Sequence, residues 1–192
     1  MAIRGQRFHA QLIVLAAVVA VGAAVLIWSA TIADDGDDVV QLDEPGEYVD
    51  PAVSNPPNSG QQLPDVELTD VDGSAVRLVT DGRPMVVNLW YSNCPPCARE
   101  LTYFAAVESD VGDDIRFVGV NPLDDADEMR RFAAERGVDY ELLLDHDGQL
   151  DEQLRIVQYP VTLFVSADGE IVAQAGPLNE AELRQHVAEL LA

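Results

Sequence analysis

Two cysteines with two prolines between them are the residues of this sequence best suited to chemistry. Cys94 and Cys97 follow an apolar, β-rich segment at 85–91 and open a segment at 95–108 that we expect to be helical. At a helix N-terminus, free backbone N–H groups and the helix dipole favour a thiolate over a thiol. Cys97 then lies one turn further on, within reach of a mixed disulfide formed by Cys94. The spacing predicts thiol–disulfide exchange with Cys94 as nucleophile and Cys97 as resolving thiol.

Two other uses of the cysteines fit less well. A disulfide across two residues closes a very small loop and adds little stability by the loop-entropy argument. A metal site needs further ligands, and residues 63–192 offer only His146, His186 and carboxylates, with neither histidine at a ligand spacing from the pair. We therefore expect the histidines to be surface or capping residues. We expect no metal, and no cofactor apart from the redox-active disulfide itself.

The segments around the cysteines alternate between strand-like and helix-like patterns. Such alternation, ending in a hairpin and a helix, predicts an α/β domain with one sheet covered by helices on both faces. A capping box is expected to open a helix at Asp125, which Gly137 should end, and Asn179 should cap the final helix. The expected strands are 66–68, 76–79, 85–91, 115–121, 141–144, 161–166 and 171–175, and the expected helices include 95–108 and 148–155.

The N-terminal third of the chain has a different composition. Residues 10–33 carry no charge and are long enough, at about 1.5 Å per residue, to cross a bilayer as a helix. Arg4 and Arg7 precede them and acidic residues follow, so the positive-inside rule places the N-terminus in the cytoplasm. A cleaved signal peptide is the alternative, and either segment exports the remainder. We predict an anchor at 1–33, an acidic, proline-rich linker at 34–62 and a domain at 63–192.

The overall charge excludes one class of partner. The chain has 34 acidic residues against 11 basic ones and a net charge of −23. Such a surface repels phosphates, so a nucleic-acid-binding protein is not expected. The apolar fraction of 48% is sufficient for a core, and two cysteines are too few for a disulfide-rich scaffold.

The region around the cysteines resembles a known family. Residues 88–100 read Asn-Leu-Trp-Tyr-Ser-Asn-Cys-Pro-Pro-Cys-Ala-Arg-Glu and are similar to the redox segment of TlpA/ResA-type membrane-anchored thioredoxin-like proteins. The similarity continues at 119–121, 159–165 and 168–172 and covers nearly all of residues 63–192. It implies a thioredoxin-like fold and an extracytoplasmic thiol–disulfide oxidoreductase at the cell membrane. The implied partners are thiol or disulfide proteins, with apocytochrome c often among them, and a membrane protein that supplies electrons or oxidising equivalents.

The resemblance also implies roles for further residues. Pro160 matches the family's cis-proline, which lies beside the cysteine pair and presents the preceding backbone to substrate, and Tyr159 is expected to line that groove. Glu100 matches an acidic residue thought to assist proton transfer. Three residues after Cys97, its carboxylate lies one helical turn away, where it could hold that thiol's proton. Asn88 replaces the buried Asp of ordinary thioredoxins, so proton management would shift to Glu100; a solvated helix Glu is the alternative.

Departures from the family leave other functions open. Asn93 stands where many relatives have Trp, and we expect it to be the helix N-cap. The direction of electron transfer is not given by the sequence, so an oxidising, disulfide-forming protein is one alternative. A Sco-like copper chaperone is another, although that family has three residues between its cysteines and a downstream His ligand. A peroxiredoxin-class peroxidase is disfavoured because Tyr91 stands where that class has Thr.

Overall fold

The computed structural model describes residues 54–192. The anchor predicted at 1–33, and most of the linker predicted at 34–62, lie outside the described residues. Within residues 54–192 no helix is both long and apolar enough to span a bilayer.

A seven-stranded mixed sheet forms the centre of the domain. Its strand order is β2-β1-β5-β4-β3-β6-β7. β3 is parallel to β4 and β4 to β5, whereas β6, β7, β1 and β2 join by antiparallel pairing. The strands are β1 (Glu67–Asp70), β2 (Ala75–Arg77), β3 (Met85–Leu89), β4 (Arg116–Asn121), β5 (Glu141–Leu144), β6 (Val161–Val165) and β7 (Ile171–Ala175).

Four helices cover the sheet, as the alternating pattern predicts. They are α1 (Pro95–Val111), α2 (Ala126–Ala134), α3 (Gln149–Leu154) and α4 (Glu180–Leu190). The apolar sides of α1, α2 and α4 join one buried cluster with alternate strand residues such as Val86 and Phe164. α3 packs on the opposite face, with Val87 and Leu163. Because strand side chains alternate between faces, one sheet supplies both cores.

Helix caps explain why the helices begin where they do. The Asp125 carboxylate accepts from the Glu128 N–H, and Asn179 forms the full capping box with Glu182. Both caps were predicted from the sequence. α2 ends at Ala134, three residues before Gly137, and α1 continues to Val111, beyond the predicted end at 108. Gly112 follows α1 with a φ of 55°, and its N–H caps the carbonyl of Glu108.

The segment at 54–62, which we assigned to the linker, lies against the domain. Asn58 is 2% exposed, and its Nδ2 donates to the Leu154 carbonyl and to Oε1 of Gln174. Gln62 forms a β-bridge with Glu170. The packed chain therefore begins before the expected boundary at residue 63. The proline and acidic content of the segment indicated a linker. Composition does not show that one side chain, here the amide of Asn58, will be buried against the domain.

Candidate active site

Cys94 and Cys97 lie at the start of α1, which follows the central strand β3 after a short turn. They form a disulfide with a Cα–Cα distance of 5.3 Å. Cys94 is the N-cap of the helix, and its Sγ accepts from the backbone N–H of Cys97 at 3.3 Å. Cys94 is 3% exposed and Cys97 is fully buried. Of the two cysteines, only Cys94 has any exposed surface, which is the position expected of the attacking residue.

The N-cap is one residue later than we predicted. A cap at Asn93 would accept from the N–H groups at positions 95 and 96, but both are prolines and have none. The first N–H that can be capped is that of Cys97, which makes Cys94 the cap. Asn93 is exposed instead. The two prolines therefore place the sulfur of Cys94 at the N-terminal end of the helix dipole.

The loop before β6 brings Pro160 to the same edge of the sheet. β3 and β6 are antiparallel neighbours, with Leu89 opposite Val161. The Tyr159–Pro160 peptide bond is cis, as the resemblance implies. The ring of Tyr159 contacts Tyr91 edge-on, with 5.5 Å between ring centroids. The strand register and this contact place the cis-proline loop beside the turn that leads to Cys94.

The hydroxyl of Tyr159 is also held in place. It donates to Oδ2 of Asp151, a half-buried residue of α3. Burial, followed by this hydrogen bond, raises the pKa of Tyr159 above its ordinary value. Burial likewise raises the pKa of Asp151, while the Tyr159 bond opposes that rise. The side chain of Tyr159 is therefore neutral and is held in one position within the cis-proline loop.

Glu100 is the buried carboxyl beneath the cysteine pair. It is 1% exposed, although it is an acid on an amphipathic helix. Its Oε1 accepts from Nδ2 of Asn88 at 2.9 Å, and its Oε2 accepts from the backbone N–H of Leu178 at 3.1 Å. Burial raises the pKa of Glu100 to about 7, and these two hydrogen bonds only partly offset that effect. The carboxyl can therefore exist protonated or ionised near neutral pH. Because the side chain is buried, the alternative of a solvated glutamate on the helix surface is wrong.

Asn88 orients this carboxyl from the central strand. Its Nδ2 donates to Glu100 and also to Oγ1 of Thr162 on β6, so both amide hydrogens have acceptors. Its Oδ1 is buried and has no hydrogen-bond partner among residues 54–192. The amide therefore presents an N–H donor to Glu100, and the carboxyl oxygen of Glu100 accepts it.

A second carboxylate holds the turn before Cys94, and the sequence analysis missed it. Asp124 accepts from the N–H of Ser92 at 2.6 Å, from the Ser92 hydroxyl at 2.8 Å and from Nδ2 of Asn121 at 2.7 Å. The carboxyl ends of parallel β3 and β4 lie at one edge of the sheet, so residues after β4 meet the turn after β3. This arrangement of the two strands is the feature from which the contact between Asp124 and Ser92 could have been predicted.

The remaining predicted residues lie outside this arrangement. Trp90 is fully buried and stacks on Phe132, consistent with packing. His186 stacks on Phe164 at 4.5 Å between ring centroids, rather than being a plain surface or capping residue, and His146 is exposed. In the part of the chain that the structure describes, no group of three or more His, Cys, Asp or Glu is placed to hold a metal ion.

Comparison with known proteins agrees with this geometry. The profile of the AhpC/TSA family matches residues 59–174, which include the cysteine pair, the buried glutamate and the cis-proline. The chain belongs to the AhpC/TSA family.

Individual relatives are similar over most of the chain. The thiol:disulfide interchange protein DsbE of Escherichia coli K12 is 28% identical over 174 residues, 88% of this chain and 86% of DsbE. The thiol:disulfide interchange protein HelX of Rhodobacter capsulatus is 30% identical over 139 residues, 70% of this chain and 77% of HelX. Both comparisons are consistent with the TlpA/ResA-type resemblance seen in the sequence.

A solved structure confirms the fold. A secreted Mycobacterium tuberculosis disulfide oxidoreductase, homologous to E. coli DsbE, superposes with a TM-score of 0.60 at 24% identity. The superposition covers 66% of this chain and 96% of that protein. The described domain is therefore thioredoxin-like, with a mixed sheet, as predicted.

Proposed function

We propose that this protein is an extracytoplasmic thiol–disulfide oxidoreductase that exchanges disulfides with protein substrates through Cys94 and Cys97. The observation that carries the proposal is the Cys94–Cys97 disulfide at the start of α1, with Cys94 as the helix N-cap. The cis-proline loop beside it and the named activity of relatives such as DsbE and HelX support the same function.

The exchange proceeds in two displacement steps. In the reduced protein, the Cys94 thiolate attacks one sulfur of a substrate disulfide, and the other substrate sulfur leaves as a thiolate. The Cys97 thiolate then attacks the Cys94 sulfur of the mixed disulfide, which releases the second substrate thiolate and forms the Cys94–Cys97 bond. Two electrons pass from the protein to the substrate, and the reverse sequence oxidises a substrate dithiol.

Glu100 acts as the proton carrier for Cys97 in this proposal. Cys97 is fully buried, so its thiol cannot exchange its proton directly with bulk water. Glu100 lies one helical turn further along α1, and its pKa of about 7 allows it to take or return a proton near neutral pH. A nearby carboxylate disfavours a thiolate, which makes the dithiol a better electron donor.

The assignment of the two cysteines is tested by trapping. We expect full-length, reduced Cys97→Ser to accumulate a mixed disulfide with a protein partner that carries a disulfide, since Cys94 attacks that disulfide and no resolving thiol remains. The matched variant Cys94→Ser should accumulate none and should not reduce a test disulfide. If Cys94→Ser retains reductase activity, Cys94 is not the nucleophile.

Direction and substrate require a second measurement. Equilibration of the cysteine pair with glutathione gives its reduction potential, and a value well below the glutathione couple supports a reductase. A value above it would assign the oxidising, disulfide-forming function instead. As the reductase substrate we propose apocytochrome c, on the TlpA/ResA-type resemblance. Faster turnover of an apocytochrome c disulfide than of an unrelated protein disulfide is the expected result.

We further propose that the domain lies outside the cytoplasmic membrane on the anchor at 1–33, with a membrane redox partner. The support is the uncharged segment at 10–33 and the acidic residues that follow it. Protease added to intact spheroplasts should remove the domain. Protection of the domain under those conditions would place it in the cytoplasm.

A further inference from the structure

The chain that enters the domain from the N-terminal side runs beside the cis-proline loop. Asn55 lies about a hundred positions from that loop in sequence, yet its half-buried side chain contacts it directly. Its Oδ1 accepts from the backbone N–H of Val157 at 2.7 Å and of Gln158 at 2.9 Å. Its Nδ2 donates to the Gln158 carbonyl at 2.7 Å. One amide thus satisfies three backbone groups of the loop.

The loop has few other backbone anchors. α3 ends at Leu154, and the Ile156 N–H still donates to the carbonyl of Asp151. From Val157 to Pro160, no backbone–backbone hydrogen bond to any residue in 54–192 is present. Ladder pairing resumes at Val161, opposite Leu89. The side chain of Asn55 therefore provides the hydrogen bonds that hold the backbone of Val157 and Gln158, just before the cis-proline.

A neighbouring asparagine secures the segment that carries Asn55. Asn58 is buried and donates to the Leu154 carbonyl at the end of α3. Gly60 donates its N–H to the Ile171 carbonyl on β7. These contacts do not involve Asn55. A substitution at Asn55 should therefore leave the remainder of the segment in place.

Fixing this backbone matters for binding a polypeptide. Under the proposed function, the residue before Pro160 presents its backbone to an extended substrate. A backbone that is ordered beforehand avoids the entropy cost of ordering on association, whereas a mobile one pays that cost at each encounter. A small dithiol has no backbone to pair, so it should be indifferent to the order of the loop.

We infer that Asn55 is a positioning residue that orders the cis-proline loop for polypeptide substrates. This inference rests on the proposed function, because it assumes that the loop receives the substrate. Asn55 does not touch the reacting sulfurs. It acts through the backbone of Val157 and Gln158, and its effect is on recognition of the partner rather than on the chemistry of the cysteines.

The test compares two reductants of the same disulfide. The oxidised full chain is reduced either by a synthetic peptide that carries two cysteines or by dithiothreitol, and the second-order rate constants are followed by tryptophan fluorescence. We expect Asn55→Ala to slow the peptide reaction about tenfold, equivalent to about 1.4 kcal/mol, and to leave the dithiothreitol rate within about twofold. Hydrogen exchange at the Val157 and Gln158 amides should become faster in the same variant.

Two further variants control for loss of structure. Gln61→Ala removes an exposed amide of the same segment whose bonds, to Pro57 and Asn58, stay within the segment, so both rates should remain unchanged. Asn55→Asp keeps both acceptor bonds but turns an acceptor towards the Gln158 carbonyl. Its peptide rate should fall less than that of Asn55→Ala. If Asn55→Ala does not fold, Asn55→Asp with the same pair of reductants decides the question.

The possible outcomes separate this inference from the proposed function. An equal fall in both rates would show that Asn55 acts on the cysteines or on general stability, and unchanged rates would show that the loop does not need it. Either result overturns the inference. Failure of the proposed function is detected separately, as a wild-type protein that reacts with neither reductant and a Cys97→Ser variant that traps no partner.

Discussion

Replacing Glu100 with Gln should remove a large pH dependence from the stability of the domain. The carboxyl is 1% exposed, and burial raises its pKa from 4.5 to about 7. A carboxyl whose pKa is raised in the folded state binds its proton more tightly there than in the unfolded chain. The contribution of this carboxyl to stability is therefore greatest below about pH 4.5, falls as the pH rises towards 7, and is level above that.

The size of the effect follows from the shift. Each pH unit between the unfolded and folded pKa values costs about 1.4 kcal/mol. Over the window from 4.5 to about 7, the wild type should lose about 3 kcal/mol of unfolding free energy through this one group. Gln cannot ionise, so the variant lacks this component. It also replaces an acceptor oxygen with a donor facing Asn88 or the Leu178 N–H, which adds a cost that does not vary with pH.

Urea unfolding of residues 54–192 at a series of pH values provides the assay, with the disulfide kept oxidised and Trp90 as the probe. The quantity of interest is the wild-type free energy minus that of Glu100→Gln at each pH. Subtraction cancels titration of other groups, including the half-buried Asp151, whose pKa is also raised. We expect the difference to fall by about 3 kcal/mol between pH 4.5 and 8. Parallel curves across that range would refute the reasoning, since they would mean that Glu100 ionises alike in both states.

Three further substitutions test contacts around the site by thermal or urea unfolding. Gly119→Ala should cost about 1–3 kcal/mol, because an added Cβ would lie 2.8 Å from Nε1 of the buried Trp90; an unchanged midpoint would show that the indole moves freely. Asp124→Ala should cost about 1–3 kcal/mol by leaving the Ser92 N–H and hydroxyl without their acceptor, and should accelerate hydrogen exchange at the Ser92 amide. Asn58→Ala should cost about 1–3 kcal/mol through the lost donor to the Leu154 and Gln174 oxygens, and a loss under 0.5 kcal/mol would contradict its role as an anchor.

The fold was predictable because its signals are local and agree with one another. The mainly apolar β3 and the capping residues Asp125 and Asn179 each indicate one kind of element. Where the predicted ends differ, as at the C-terminus of α1, the reason is that Val111, three residues beyond the predicted end, still packs against the core. Composition alone could not place the domain start, because the burial of Asn58 depends on α3 and β7.

The site was predictable to the extent that it is contiguous or matches a family motif. Only two residues separate Cys94 from Cys97 in the chain, and Pro160 came from the resemblance. Asp124 and Asn55 were missed because each acts through contacts that only the assembled sheet creates. The N-cap error at Asn93 is different in kind, because the missing N–H groups of the two prolines could have excluded it from the sequence.

The buried polar pair beneath the cysteines explains why a carboxyl can remain ionisable there. Asn88 directs both amide hydrogens outward, to Glu100 and to Thr162, and leaves its own oxygen without a partner. That arrangement stabilises the ionised carboxylate through a neutral donor, so no second charge competes for the site. An Asp at position 88 would instead place two carboxyls in hydrogen-bond contact, and like charges at that distance cannot both ionise. The amide therefore leaves Glu100 as the one carboxyl there that titrates near neutral pH, and this is what a proton carrier for Cys97 requires.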